Sequence, residues 1–293
     1  MKIHRILVAT DFSSTGNRAV HVAAALARRE AAALRILHVA PSRRQLEGFW
    51  RSRKSALRHV SGQAAVALRQ LSESVDPTRE LELSTGVVAG TAARKIAAAA
   101  KDYGADLLVI GAHGEHESTT GQPGLGGTAI RLVTNIPCPL WLTRLPLDAG
   151  PNTVVAAIDM GDLSSAIVAW AARQARGGPL HVLHAYDVPF AARLESYGIA
   201  GGALDVYSKD EQERLEQQML QLVTEAGCGA DAHRIIARGD ATSVLFAQIR
   251  KLEPNLVVLG RHDKRKRRST HQKFGSVCLN AAFMSPTDIL IIQ

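Results

Sequence analysis

Ala105-Asp106-Leu107-Leu108-Val109-Ile110-Gly111-Ala112-His113-Gly114 returns 149 residues later as Pro254-Asn255-Leu256-Val257-Val258-Leu259-Gly260-Arg261-His262-Asp263. Each copy is a short apolar run closed by a glycine, the pattern of a strand buried on both faces. Other segments repeat with it. Ile6-Leu7-Val8-Ala9-Thr10-Asp11 answers Val154-Val155-Ala156-Ala157-Ile158-Asp159, and Leu34–Val39 answers Leu180–Ala185. Gly90-Thr91-Ala92 answers Gly239-Asp240-Ala241, and Pro137–Leu142 answers Pro286–Ile291. The offset is 148 at the first aspartate and 149 at Gly90, Gly111 and Pro137. Chance does not hold such a register; the chain is an internal duplication.

Between the apolar runs lie Ala-rich stretches with helical character: 14–30, 55–75, 90–103 and 127–135, then 162–176, 208–226, 240–252 and 275–283. Asp11-Phe12-Ser13-Ser14 offers N-cap side chains to the first helix, and Asp162 is read as the cap of its counterpart. The order β-α-β-α-β-α-β-α-β, twice, predicts an α/β chain. Two tandem doubly wound, Rossmann-like domains are expected, each with a parallel five-stranded sheet, over 1–147 and 151–293. Leu145–Pro151 links them. The fifth strands, 138–144 and 287–292, are edges that need covering, so the copies are expected to pair through them as an intramolecular pseudo-two-fold dimer. A further homodimer stays open.

Composition removes several classes. Hydrophobic residues make up 46% of the 293 and the mean hydropathy is −0.01, which argues against disorder and against a membrane protein. No apolar run reaches the ~18 residues that span a bilayer. The start turns polar at Thr10-Asp11, before a signal-peptide core could form. Cys138, Cys228 and Cys278 include no CxxC pair and read as reduced thiols, which suits a cytoplasmic protein. The net charge of +8 belongs to one half: residues 1–147 hold 19 Lys+Arg against 11 Asp+Glu, and residues 148–293 hold 16 of each. Aromatics at 4% and a neutral second half count against nucleic acid.

The segment after the fourth strand carries the chemistry. Gly111-Ala112-His113-Gly114 is followed by eleven residues and then by Gly126-Gly127-Thr128, which opens a helix. Glycines beyond a strand end let main-chain N–H groups approach phosphate oxygens, and a helix N-terminus adds free donors and a positive dipole end. Asp11 closes the first strand and can accept from a ligand amine or hydroxyl across the switch point. A plainer reading has the glycines giving the loop freedom and Asp11 capping a helix.

These pieces, in this order and twice over, resemble a tandem universal stress protein, with two universal stress domains fused end to end. The resemblance covers the whole chain. It implies an adenine-nucleotide-binding α/β fold in which Asp11 and Val39 contact adenine or ribose. Gly111, Gly114, Gly126, Gly127 and Thr128 would then cradle the phosphates of ATP or a related adenine nucleotide, with Mg²⁺ arriving on the nucleotide. The sequence departs from the family's Gly-x-x-Gly…Gly-Ser/Thr pattern in both halves. The first half has a longer loop, with Gly127 at the hydroxyl position and Thr128 one place later. In the second half, Asp263 replaces the second glycine although Gly275-Ser276 fits; a carboxylate there repels phosphate. Asp159, Gly260, Gly275 and Ser276 mark a weaker second cleft, and the first half is expected to hold the nucleotide.

Other chemistry finds little support. There is no GxxxxGK[ST] loop and no GxSxG elbow, and no general base is placed by sequence. A binder is expected, with slow ATP hydrolysis the most it would do. His113 and His116 have chelate spacing, but a zinc site needs further ligands and a solvated loop is the plainer reading. His38 and His184, equivalent strand-end histidines, read as held by packing and a backbone hydrogen bond. The Arg43–Arg58 segment is either a phosphate-seeking lid or a basic loop. The run Lys264–Arg268 reads as a solvated loop. The functional expectation is a stress-response switch or sensor with ATP in its first domain. The alternative is a nucleotide-free scaffold acting through unknown protein partners.

Overall fold

The structure, a computed structural model, describes residues 2–42, 53–114, 124–135, 138–144, 153–187, 202–228, 232–261 and 276–293. The first half runs β1 (Arg5–Thr10), α1 (Ser14–Glu30), β2 (Ala33–Ala40), α2 (Arg53–Val75), β3 (Leu83–Ala89), α3 (Ala92–Tyr103), β4 (Leu107–Gly111), α4 (Gly127–Asn135) and β5 (Leu140–Thr143). The second half repeats it: β6 (Val154–Ile158), α5 (Ser164–Ala175), β7 (Leu180–Tyr186), α6 (Gly202–Glu225), β8 (Ala232–Arg238), α7 (Ala241–Leu252), β9 (Leu256–Gly260), α8 (Ser276–Met284) and β10 (Asp288–Ile292). Seven of the eight expected helices lie within two residues of their forecast limits. The exception is α6, which begins at Gly202 rather than 208, because Gly198, Gly201 and Gly202 give the stretch the look of a loop.

All ten strands form one sheet, ordered β3-β2-β1-β4-β5-β10-β9-β6-β7-β8. Neighbours within each half are parallel. At the seam β5 and β10 pair antiparallel, with Leu142 opposite Ile289 and Leu140 opposite Ile291. The expected pairing through the fifth strands is therefore present, and it removes two apolar edges. Strands near the middle are buried along their length, whereas the outer strands β3 and β8 expose Ser84, Thr85, His233 and Arg234.

Helices cover both faces. One core takes Val20, Leu68, Ile167 and Met219 from α1, α2, α5 and α6; the other takes Ile96, Leu132, Leu245 and Ala281 from α3, α4, α7 and α8. Both run across the seam. Apolar packing joins the halves, and polar clips set their register. Trp141 Nε1 donates to Asp288 Oδ2 at 2.9 Å, and the Arg144 main-chain N–H donates to Asp288 Oδ1 at 2.7 Å. Along one face Glu30, buried at the end of α1, pairs with Arg29 and with Arg173 of α5, while Arg29 Nη2 donates to Gln174 Oε1 at 2.5 Å. Burial, then repulsion from Arg176 and Arg173, pulls Arg29 down to about 10.

A carboxylate or amide at the foot of each fourth strand fixes the start of its neighbour. Asp106 Oδ2 accepts from the His4 and Arg5 main-chain N–H groups, at 2.7 and 2.9 Å, and Asn255 Oδ1 accepts from Thr153 N at 2.9 Å. The three cysteines are free thiols, and burial pushes Cys138 and Cys278 up to about 12. Among the described residues no helix is long and apolar enough to cross a membrane.

Candidate functional site

The order β2-β1-β4 makes β1 the strand at which winding reverses, and a cleft of about 380 Å³ opens at the carboxyl ends of these strands. That volume lies at the small end of the range for ligand pockets, roughly 300–1,000 Å³. Asp11, Val39, Gly111, Gly114, Gly126, Gly127 and Thr128, the residues marked from sequence, all line it. Apolar Ala92 and Ile96 of α3 and Ile110 of β4 line it as well, so the cleft pairs an apolar wall with a polar rim.

Local chemistry builds that rim. Phe12 takes a left-handed φ of 67°, which turns the chain sharply after β1 and costs a non-glycine residue about 1–2 kcal/mol. Its ring stacks on His38 at 4.4 Å, and His38 Nδ1 lies 2.9 Å from Thr10 O. His184 Nδ1 meets Ile158 O at 3.0 Å in the other half, so both strand-end histidines have the backbone hydrogen bond expected of them. Ser13 caps α1 by accepting from Gly16 N at 3.0 Å. Asp11 Oδ1 accepts from Ser13 N at 3.1 Å and from Ser13 Oγ at 2.5 Å. Asp11 thereby braces the cap and keeps an exposed carboxylate on the cleft.

The described ends of the glycine loop are tied together. Gly126 N donates to Ala112 O at 2.8 Å, and Thr15 Oγ1 donates to His113 O at 2.8 Å. Next, α4 starts at Gly127, so its first main-chain donors face the rim. A Cβ on Gly114 would stand 2.9 Å from Asp11 Oδ2. His113 lines the cleft; His116, the other histidine with chelate spacing, lies outside the described residues, as do Arg43–Arg51 and Lys264–Arg268. No group of three metal-ligating side chains occurs among the described residues.

Gly16 was not foreseen. A glycine in the first turn of a helix is unfavourable, and that penalty was the available signal. A Cβ there would meet Asp11 Oδ1 at 2.5 Å, Thr10 Oγ1 at 3.0 Å and Asp11 N at 3.2 Å. Alanine in a helix ordinarily gains up to about 1 kcal/mol over glycine. At position 16 the sign should reverse: Gly16→Ala is expected to lose about 1–2 kcal/mol in thermal denaturation as Asp11 is pushed off Ser13. A stabilised variant would contradict the close approach.

The second half departs from this plan at the same places. Asp159, Met160, Gly161, Asp162, Leu163 and Ser164 stand where the first half has Asp11 to Gly16. Met160 repeats the left-handed turn at φ 58°. Asp162 is not the cap of α5. Leu163 holds the N-cap position without a side-chain bond, and Asp159 Oδ1 accepts instead from Gly161 N at 2.8 Å and Ser164 Oγ at 3.4 Å. Leucine at this position is drawn inward: a Cβ on Gly260 would meet Ile167 Cδ1 at 3.0 Å and Leu163 Cδ1 at 3.3 Å. A Cβ on Gly111 would meet the Thr15 main chain at 3.1 Å. The first helix thus meets its strand end backbone to backbone, and the second does so through side chains. Ser276 opens α8; Gly275 and Asp263 lie outside the described residues. A wider groove of about 930 Å³ between α7 and α8, lined by Phe246 and Met284, contains none of the residues marked from sequence.

The fold and site can be set beside known proteins. A universal stress protein from Archaeoglobus fulgidus DSM 4304 is 13% identical, with a TM-score of 0.72 over 100% of this chain and 99% of its own. A protein of Pseudomonas aeruginosa UCBPP-PA14 described as a universal stress protein is 18% identical, with a TM-score of 0.68 over 99% and 93%. A Pseudomonas aeruginosa PAO1 protein of unknown function gives 18% and 0.67 over 99% and 92%. At these identities they show the fold. One universal stress protein has been solved in complex with cAMP. No curated protein sequence matches the chain significantly. The sequence signature of the universal stress protein family matches residues 2–144 and again residues 151–293. The chain belongs to the universal stress protein family and carries the family's sequence twice in tandem.

Proposed function

We propose that the chain is a cytoplasmic stress-response protein whose first half binds ATP or a related adenine nucleotide as a switch or sensor. The observation that carries this reading is the convergence of Asp11, Val39 and the glycine-loop residues on one cleft at the switch point. An adenine ring would lie against Val39, Ile96 and Ile110, with Asp11 accepting from its amine or from a ribose hydroxyl. The phosphates would meet the main-chain N–H groups of Gly127 and Thr128 at the start of α4, which need no cation to be supplied by the protein. Mg²⁺ would come with the nucleotide. The second half is proposed as a partner-facing domain, since Leu163 and Ile167 fill space that Thr15 and Ala19 leave to the backbone in the first half.

Mass spectrometry of nucleotide released from freshly purified protein, with calorimetric titration of ATP and Mg²⁺, tests the proposal. One adenine nucleotide per chain is the expected result. If no nucleotide co-purifies and saturating ATP gives neither heat nor a thermal shift, the sensor reading fails and the scaffold alternative takes its place.

A further inference from the structure

The Arg144 guanidinium stands where three parts of the chain meet. Its Nη2 donates to Gly124 O at 2.9 Å, beside the end of the glycine loop, and to Ala282 O at 2.5 Å on α8 of the second half. Its main-chain N–H donates to Asp288 Oδ1 on β10, and its carbonyl accepts from Arg18 Nη1 of α1 at 2.7 Å. Asp288 also accepts from Trp141 across the seam. Nη1 of Arg144 is buried without a partner among the described residues. Burial lowers its pKa to about 10, with Asp288 opposing the shift, so the group stays charged near neutrality.

A buried cation with one nitrogen unpaired is costly, and it holds its place only while both carbonyls and the nearby carboxylate are in position. Two of those three groups, Ala282 O and Asp288, belong to the second half. The third, Gly124 O, is two residues from Gly126, whose N–H closes the loop onto Ala112 O. A change in how the halves dock therefore reaches the loop through one side chain. We propose that Arg144 is a positioning residue that makes the placement of Gly124–Gly126, where the first half's cleft meets α4, depend on the docking of the second half, so that a nucleotide in the cleft and the β5–β10 seam stabilise one another. The nucleotide clause rests on the reading above; the dependence of loop on seam does not.

Hydrogen exchange on the full chain separates the two. Without nucleotide, Asp288→Asn touches no loop atom, yet it should speed exchange of the Gly126 amide about 10-fold. Arg144→Met should do the same, and β2–β3 amides should stay unchanged in both. Unaltered Gly126 exchange in Asp288→Asn, or equal acceleration everywhere, overturns the proposal whether or not ATP binds. With ATP, the amides of β5 and β10 should slow in the wild type and not in Arg144→Met. Calorimetry should show ATP bound about 10-fold more weakly by Arg144→Met. Arg144→Lys should fall between, since an ammonium keeps the charge but not the planar fork. If ATP binds the wild type and the seam amides do not respond, the mutual stabilisation is wrong. If ATP does not bind the wild type at all, the nucleotide reading fails, and the first comparison still decides the role of Arg144.

Discussion

Gly114→Asp is expected to weaken ATP binding by at least about 100-fold, or about 2.7 kcal/mol, and to lose about 1–2 kcal/mol of thermal stability as Asp11 is displaced. Two effects add at one atom. Even a methyl group at this position would approach Asp11 Oδ2 to 2.9 Å, so Asp11 must move. The new carboxylate then places a second negative charge at the rim where phosphate is proposed to sit, and a repulsion of unit charges at ~4 Å is worth about 4 kcal/mol at an effective dielectric of 20. Gly114→Ala separates the two contributions and should give an intermediate affinity. Calorimetric titration of the wild type and both variants is the measurement. Equal affinities for all three would place the nucleotide, if one is bound, away from this loop. The substitution also copies Asp263 of the second half into the first, a direct test of why the two copies would differ.

Asp288→Ala should cost about 3 kcal/mol of folding stability. Asp288 is 7% exposed, and its carboxylate accepts from the Trp141 indole and the Arg144 main chain, both across the seam. Alanine leaves those donors buried without their acceptor and takes away the charge that opposes the desolvation of Arg144. Asp288→Asn preserves the shape and one acceptor, and should lose roughly half as much. Urea unfolding followed by tryptophan fluorescence reads the effect. A midpoint shared by Asp288→Ala and the wild type would mean that apolar packing alone sets the seam.

Much of this was legible before any coordinates. The duplication lay in register, and buried parallel strands are written as continuous apolar runs, so the β4 and β9 segments and most helix limits could be read residue by residue. The glycine loop was legible for a related reason. A glycine beyond a strand end is a local requirement on backbone freedom, and local requirements leave a mark at fixed spacing. Asp162 and the start of α6 misled because caps and loops were inferred from residue type alone. Whether an aspartate caps a helix depends on where the neighbouring leucine is drawn, and Leu163 is drawn to Gly260 by a contact nearly a hundred residues away. Gly16 was hidden by its setting within a helix, where only proximity to Asp11 explains it.

The sequence by itself determined two copies of a doubly wound α/β unit, the strand end at which the first half's cleft opens, and the glycines that line it. Those are matters of periodicity and local backbone freedom, which a linear code records directly. Only the tertiary structure decided that Asp288 of one half clips Trp141 and Arg144 of the other, that Arg144 reaches both Gly124 and Ala282, and that Leu163 and Ile167 cover the second strand end. Each depends on side chains far apart in sequence meeting in a buried space, and no spacing along the chain encodes that distance.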